Sequence, residues 1–199
     1  MSELDLRTYP RSVATEAGEI EFRLMGPEDE AEVQAFAQAL PVHDLLFLPR
    51  NISEPRVLAA WIKEIERGAI TSLLAVRAGR VVGCGTVVCD ALSWSPHVGE
   101  IRTVVSTDVR GLGVGRALSQ ETFALALGDG LEKLLVQMTV DQVGAIAIFE
   151  GLGFKAEALL RDHVRDTAGK THDIVVLGHN VAQVQAQMEA YGLPGAVRH

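Results

Sequence analysis

The chemistry most directly legible in this chain lies in seven consecutive residues, Arg110-Gly111-Leu112-Gly113-Val114-Gly115-Arg116. Three glycines in seven positions let backbone N–H groups come close to a bound group. The Ala- and Leu-rich stretch that follows predicts a helix from about Val114 to Leu127. Amides at a helix start, with the positive end of the helix dipole behind them, suit an anionic group such as a pyrophosphate. Arg110 or Arg116 can add a charge-assisted bond. Spacing excludes two phosphate-binding loops. A P-loop needs Lys and then Ser or Thr after its last glycine, whereas Arg116 and Ala117 follow Gly115. A dinucleotide fingerprint needs a glycine three residues after Gly113, where Arg116 stands.

The elements that must position this loop follow from period and punctuation. Ala17-Gly18 marks a turn, so a hairpin is expected across Arg11 to Met25. Pro27, Glu28 and Asp29 open a helix that carries Val33, Phe36, Ala37 and Leu40 at helical spacing. Ser53 is expected to cap a second helix, with Val57, Leu58, Trp61, Ile62 and Ile65 on one face and Gly68 as its stop. Between them the loop Pro41 to Asn51 holds His43, Asp44, Phe47 and Leu48, which either line the entrance of an acceptor or pack on the core. Ile70 to Arg77 and Val81 to Cys89 read as a hairpin about Ala78-Gly79-Arg80. A strand over Val98 to Val105 enters the glycine loop. After the loop's helix come a strand at Leu134 to Thr139, a short helix at Val143 to Glu150, and strands at Lys155 to Val164 and His172 to Leu177. A last helix is expected from Val181 to Tyr191. This mixed order, with no repeat or linker, predicts one α/β unit, an α+β sandwich. The expected domain spans residues 1–199, with a core at about 20–178, an N-terminal hairpin extension and a C-terminal helix.

Composition narrows the function classes. The 199 residues are 48% hydrophobic and 22% charged, as in an ordinary globular domain. Lys and Arg number 18 against 26 Asp and Glu, and this net charge of −8 argues against nucleic acid or an anionic membrane as partner. No apolar run approaches the roughly 18 residues of a membrane span, and the acidic N-terminus has no apolar signal core, so a cytoplasmic location is expected. Cys84 and Cys89 lie five apart in a strand-like run and face opposite sides, which makes them packing residues and not a disulfide. His163, His172 and His179, with Asp162, Asp166 and Asp173, match no zinc spacing, and no metal is expected.

The pattern that remains, Arg-x-x-Gly-x-Gly, resembles the coenzyme A loop of the GNAT acyltransferase superfamily. The resemblance continues downstream, where Ala145 to Glu150 and Gly151-Leu152-Gly153-Phe154 match the family's later signature, and it covers about Ile20 to Leu177. It implies a twisted, mainly antiparallel sheet whose central strands splay apart and admit acetyl-CoA as acyl donor. Carried over by position, backbone groups of Thr103, Val104 and Val105 would hold the pantetheine arm and the acyl carbonyl. Amides from Gly111 through Leu112, Gly113, Val114, Gly115 and Arg116, beside Arg110, would hold the pyrophosphate. Gln142 stands where many relatives place an asparagine against the cofactor. Phe149 stands at the usual position of a tyrosine acid and has no proton to give, so packing against the cofactor is its expected role. Tyr9 and Tyr191 are terminal and poor substitutes.

The reaction so implied is acetyl transfer to a primary amine in a ternary complex. With a lysine-like pKa of about 10.4, roughly one amine in a thousand is neutral near pH 7, and removing the proton costs about 4 kcal/mol. A carboxylate can take that proton directly or through water. Glu100, ten residues before Arg110 and at a position where lysine-acetylating relatives often carry glutamate, is the candidate base. Its competing reading is a strand glutamate paired with Arg102, and His97 is a second candidate for the base. The segment Gly18 to Leu24, Pro27-Glu28-Asp29, Phe36 and Leu40-Pro41 resembles bacterial protein-lysine acetyltransferases, which makes a protein lysine one acceptor. A small amine or amino acid is the alternative, and a module that senses acyl-CoA without turnover is the rival function. A homodimer would follow from an exposed apolar patch on the late strands or last helix.

Overall fold

The computed structural model describes residues 7–183. Eight strands form one sheet: β1 Arg11–Thr15, β2 Gly18–Leu24, β3 Ile70–Arg77, β4 Arg80–Cys89, β5 Val98–Val105, β6 Lys133–Thr139, β7 Lys155–Arg165 and β8 Thr171–Asn180. Their spatial order is β1-β2-β3-β4-β5-β6-β8-β7, and among the described residues only β5 and β6 pair in parallel. Helices α1 Glu30–Ala39 and α2 Pro55–Glu66 cover one face, and α3 Val114–Gly128 and α4 Val143–Gly151 the other. The expected fold is therefore present, including its parted central strands. Residues 181–183 are helical, and the rest of the helix expected to Tyr191 lies outside the described residues.

Local chemistry explains most boundaries. The β3–β4 turn is the two residues Ala78 and Gly79, with φ of 49° and 77°, the conformation that matches strand twist in a tight hairpin. Arg80, expected in that turn, instead pairs with Arg77 in the ladder. At the start of α1, the buried Asp29 carboxylate accepts two bonds from Arg23 (2.6 and 2.8 Å) and one from the Gly26 amide (2.9 Å). Burial pushes the Asp29 carboxyl up, but Arg23 and that amide outweigh it and hold it below its ordinary pKa. Ser53 does not cap α2. Pro55 begins the helix directly after Glu54 with no side-chain cap, because its fixed φ is already helical, and the Ser53 hydroxyl turns to Asn51 (2.7 Å).

Strand alternation sorts side chains between the two faces. Cys84 packs under α1 and α2 while Cys89 packs against the α3 side, and both are free thiols, as the five-residue spacing requires. On β5, Ile101 packs in the α3 and α4 core whereas Val104 packs toward α2. Helix α3 seats closely on β4 because two glycines lie beneath it. A Cβ at Gly85 would stand 2.0 Å from the Thr122 hydroxyl, and one at Gly83 would stand 3.0 Å from Leu118. Thr122 has no room to retreat, since its hydroxyl is buried and bonded to the Leu118 carbonyl (2.8 Å).

The decisive feature is the end of β5–β6 pairing. Val98 to Ile101 pair with Lys133 to Val136, and there the ladder stops. Beyond it Arg102 to Val105 keep only β4, and Gln137 to Thr139 keep only β8. The gap opens between α3 and α4 on one side and toward α2 on the other. Gly85→Ala is expected to lower unfolding free energy by about 1–3 kcal/mol through overpacking against Thr122, measured as a shifted urea midpoint with unchanged slope.

Candidate active site

Two cavities meet at this gap. The larger, about 490 Å³, lies on the α3 and α4 side. Thr103, Val104 and Val105 form its β5 wall, Gly111, Gly113, Gly115 and Arg116 its upper edge, and Gln142 with Phe149 the α4 side. Gly113 precedes α3 with φ of 82°, and Gly111 has φ of 73°, so both positions require the left-handed backbone that glycine adopts freely. The first intrahelical bond runs from the Ala117 amide to the Gly113 carbonyl (3.0 Å), which leaves the amides of Val114, Gly115 and Arg116 without helical acceptors. A Cβ at Gly115 would meet nothing nearer than 3.8 Å. Packing does not demand glycine there, so its missing side chain serves the cleft in front of it. Open amides, a bare approach and two arginines fit the pyrophosphate of coenzyme A.

Most residues expected at the donor site converge on this cleft. Leu112 and Val114 are the exceptions. Val114 is fully buried and Leu112 packs on the same core as Ile20 and Phe22, so their side chains brace the loop and only their backbone faces outward. The reason is geometric: successive residues at a helix entry point to different sides. Arg110 is exposed, and its guanidinium bonds to Asp44 (2.6 Å) and to the Val105 carbonyl (3.3 Å). Gln142 lines the cleft at the head of α4, and its carbonyl accepts the Ala145 amide (3.0 Å). Phe149 is buried and stacks edge-on to Phe154, with centroids 5.2 Å apart. Ser119 and Met138 also line the cleft and were not anticipated. Ser119 lies four residues after Gly115, on the same helical face, a spacing that could have disclosed it.

Phe154 also carries the later signature. It packs against Phe123, Phe149 and His179, at centroid distances of 5.8, 5.2 and 5.3 Å, and so fixes α4 to α3 and β8. Gly153 has φ of 90°, and a Cβ there would stand 3.3 Å from the His179 ring, so glycine suits the close passage. Burial holds the His179 imidazole below its ordinary pKa. His179 is thus a neutral core residue.

The second cavity, about 320 Å³, lies on the α2 side. Leu48, Ile52, Val57 and Trp61 give it apolar walls, and Thr86 and Arg102 supply polar groups. It shares Phe47, Thr103 and Val104 with the donor cleft. The Trp61 indole donates to Ser72 (3.0 Å), whose hydroxyl meets that of Thr86 (3.2 Å), so this wall is internally satisfied. Cys84 also lines it, but burial pushes its thiol up to about 12, and a protonated thiol is no nucleophile at neutral pH.

Glu100 lies on β5 behind this chamber, outside the lining of both cavities. Its carboxylate accepts two bonds from Arg102, from Nε (3.0 Å) and Nη2 (2.7 Å). The pairing read from their i, i+2 spacing is therefore present. His97 is exposed before the far end of β5 and lines neither cavity, because the strand carries it away from the gap. In the loop between α1 and α2, Leu48 packs with the core under α1 and α2 and with Phe47 lines the chamber, while Phe47 and Asp44 also line the donor cleft. At the rim, His43 meets Asp141 (2.7 Å), His172 meets Asp166 (2.8 Å), and the two imidazoles stand edge to face at 5.0 Å. The Thr139 hydroxyl and then His43 hold the Asp141 carboxyl below its ordinary pKa.

Comparison with known proteins accords with this geometry. The model of the GNAT acetyltransferase family matches residues 34–154, and the chain belongs to that family, whose acyl donor is acetyl-CoA. An IAA acetyltransferase of Azospirillum brasilense is 33% identical over 94 residues, 47% of this chain and 60% of that protein. An N-acetylaspartate synthetase of Xenopus tropicalis is 27% identical over 103 residues, 51% of this chain and 36% of that protein. The matched segment thus spans less than two thirds of either relative. A GNAT acetyltransferase structure from Streptococcus pneumoniae superposes with a TM-score of 0.70 at 20% identity, covering 81% of this chain and 99% of that one. The YncA structure from Salmonella typhimurium, solved with its cofactor acetyl-CoA, gives 0.69 at 17% identity, covering 81% and 94%.

Two outcomes test these assignments. Gly115→Ala is expected to weaken coenzyme A binding at least tenfold by calorimetry while leaving thermal stability equal or slightly raised, since alanine is the better helix residue by about 0.5–1 kcal/mol. For His179 the unfolded chain binds the proton more readily than the folded one. Stability at that position is therefore complete above the ordinary histidine pKa of about 6.5 and falls as pH drops below it. Urea titrations between pH 7.5 and 5 are expected to show a smaller loss for His179→Phe than for the parent protein.

Proposed function

We propose that this chain is an N-acetyltransferase that moves the acetyl group of acetyl-CoA to a primary amine by direct attack, with both substrates bound at once. The observation that carries this reading is the meeting of the two cavities at Thr103 and Val104, where the sheet parts. One cavity ends in a phosphate-type helix entry, and the other is a separate chamber on the opposite face. Coenzyme A supplies the thioester that activates the acetyl group. The chain supplies the open amides after Gly113 for the pyrophosphate and the β5 backbone at Thr103 to Val105 for the arm and carbonyl. A backbone amide on that carbonyl oxygen would stabilise the charge developing in the transition state.

In this proposal Glu100, which lines neither cavity, takes the ammonium proton through a chain of waters. A carboxylate that accepts two bonds from Arg102 keeps lone pairs for a water on its remaining sides. Phe149 has no proton to offer a departing thiolate, and a thiol of pKa near 8.5 needs none. The chamber, about 320 Å³, accommodates a small amine whole, and a small amine is the acceptor proposed here.

Release of coenzyme A from acetyl-CoA across amino acids, polyamines, lysine peptides and whole proteins tests the reading. Turnover with an amine is expected. Tight coenzyme binding with no turnover on any acceptor would put the sensing module in its place. Glu100→Gln is expected to lower kcat at neutral pH by about 100-fold and to flatten the acid limb of the rate profile, with coenzyme A affinity unchanged. An unaltered pH–rate profile would remove Glu100 from the base role.

A further inference from the structure

We infer that the acceptor is a small amine that also carries an anionic group, a carboxylate within a few bonds of the nitrogen, and that Arg102 recognises that group. The inference rests on the acetyltransferase reading and narrows its substrate.

Arg102 is a guanidinium in the wall of a largely apolar chamber. Two of its nitrogens, Nε and Nη2, face Glu100, and among the described residues no hydrogen bond occupies Nη1. A guanidinium carries five N–H donors in a rigid plane. Glu100 therefore holds that plane from behind and leaves donors free on its outer edge. The arginine is 20% exposed, so those donors reach the chamber without being freely solvated. Charge-assisted bonds from a held guanidinium to a carboxylate are among the stronger polar contacts available to a protein.

The sign of the chamber supports the same acceptor. Its lining holds two guanidiniums, Arg50 and Arg102, and one carboxylate, Glu64; Arg102 is tied to Glu100 at 2.7 Å and Glu64 to Arg67 at 2.9 Å, so among the described residues Arg50 is the unpaired charge of the lining. The chain as a whole carries −8. A net cationic lining in an acidic protein is opposite to what would collect a polyamine or a lysine-rich segment. Distance then sets the acceptor's length. Val104, at the junction with the donor cleft, is two residues along β5 from Arg102 and on the same face, about 6–7 Å by strand rise. An amine at Val104 with a carboxylate turned to the Arg102 side chain is the span of an amino acid or short amino carboxylate. Trp61, Val57 and Ile52 face the space left for its apolar part.

The test pairs each amino carboxylate with the amine that lacks only the carboxyl group, alongside spermidine and a lysine peptide, in the coenzyme A release assay on the unaltered protein. The expected result is a kcat/KM at least about 100-fold higher for the carboxylate member of the best pair. Arg102→Gln is expected to raise KM for that acceptor by about tenfold or more, and Arg102→Lys to fall between, having charge without the fork. The preference for the carboxylate member of the pair should collapse toward unity in Arg102→Gln, a pattern that general loss of structure, or a disturbed Glu100, would not produce because either slows both amines alike. Equal or better turnover of decarboxylated amines, spermidine or lysine peptide overturns this inference while leaving the acetyltransferase reading intact. Release with no amine at all overturns both.

Discussion

Everything in this site depends on a parallel strand pair that stops pairing. β5 and β6 share four residues of ladder, from Val98 to Ile101 and from Lys133 to Val136, and then diverge. Each strand stays anchored because its other neighbour continues, β4 beside Arg102 to Val105 and β8 beside Gln137 to Thr139. The opening thus sacrifices hydrogen bonds on one edge of each strand only. Backbone donors and acceptors left there are obligatory partners for something else. A cleft edged by unpaired main chain, with a helix start above it, is a template for an extended ligand that ends in phosphate.

Close seating of α3 makes that template usable. Gly83 and Gly85 remove the side chains that would hold the helix off β4, and Val114, Ala117 and Leu118 fill the core beneath its first turns. On the opposite face the loop from Pro41 to Leu48 is tied to both walls of the cleft, by Asp44 to Arg110 and by His43 to Asp141. Exposed pairs of this kind contribute little energy. The loop is held chiefly by Leu45 and Leu48, which sit in the α1 and α2 core, while the polar contacts choose where its tip rests. Arg23 and Asp29 play the firmer role at the entry of α1, where the carboxylate is buried and triply bonded.

Features that rest on local chemistry were legible in the sequence. The strand Val98–Val105 and the helix from Val114 follow from β-branched run, glycine punctuation and an Ala- and Leu-rich stretch, and the glycine loop declared itself because Gly111 and Gly113 need positive φ. Where two local signals compete the stronger one wins, as when Pro55 rather than Ser53 starts α2. The donor side was legible as residues but not as side-chain directions, which is why Leu112 and Val114 turned out to be core. Of the chamber, only Phe47 and Leu48 were legible, as residues of a loop that could line an entrance. Trp61, Thr86 and Arg102 come together only because α2 crosses the sheet where Thr86 lies opposite Arg102 in the β4–β5 register. No local pattern encodes a neighbour across a ladder.

The division of the two cavities along the chain has an evolutionary consequence. Apart from the loop tip at Asp44 and Phe47, the donor cleft is drawn from Ile101 to Phe149, whereas most of the chamber is drawn from Phe47 to Ile70, with Cys84, Thr86 and β5 completing it. Phe47, Thr103 and Val104 are common to both. With the acceptor in the chamber, as proposed, substitutions in the first segment can reshape its pocket while Arg102 and the donor machinery, both encoded later, stay as they are. A duplicated copy of such a gene can acquire a new substrate through a few codons near its beginning while inheriting its acyl donor whole.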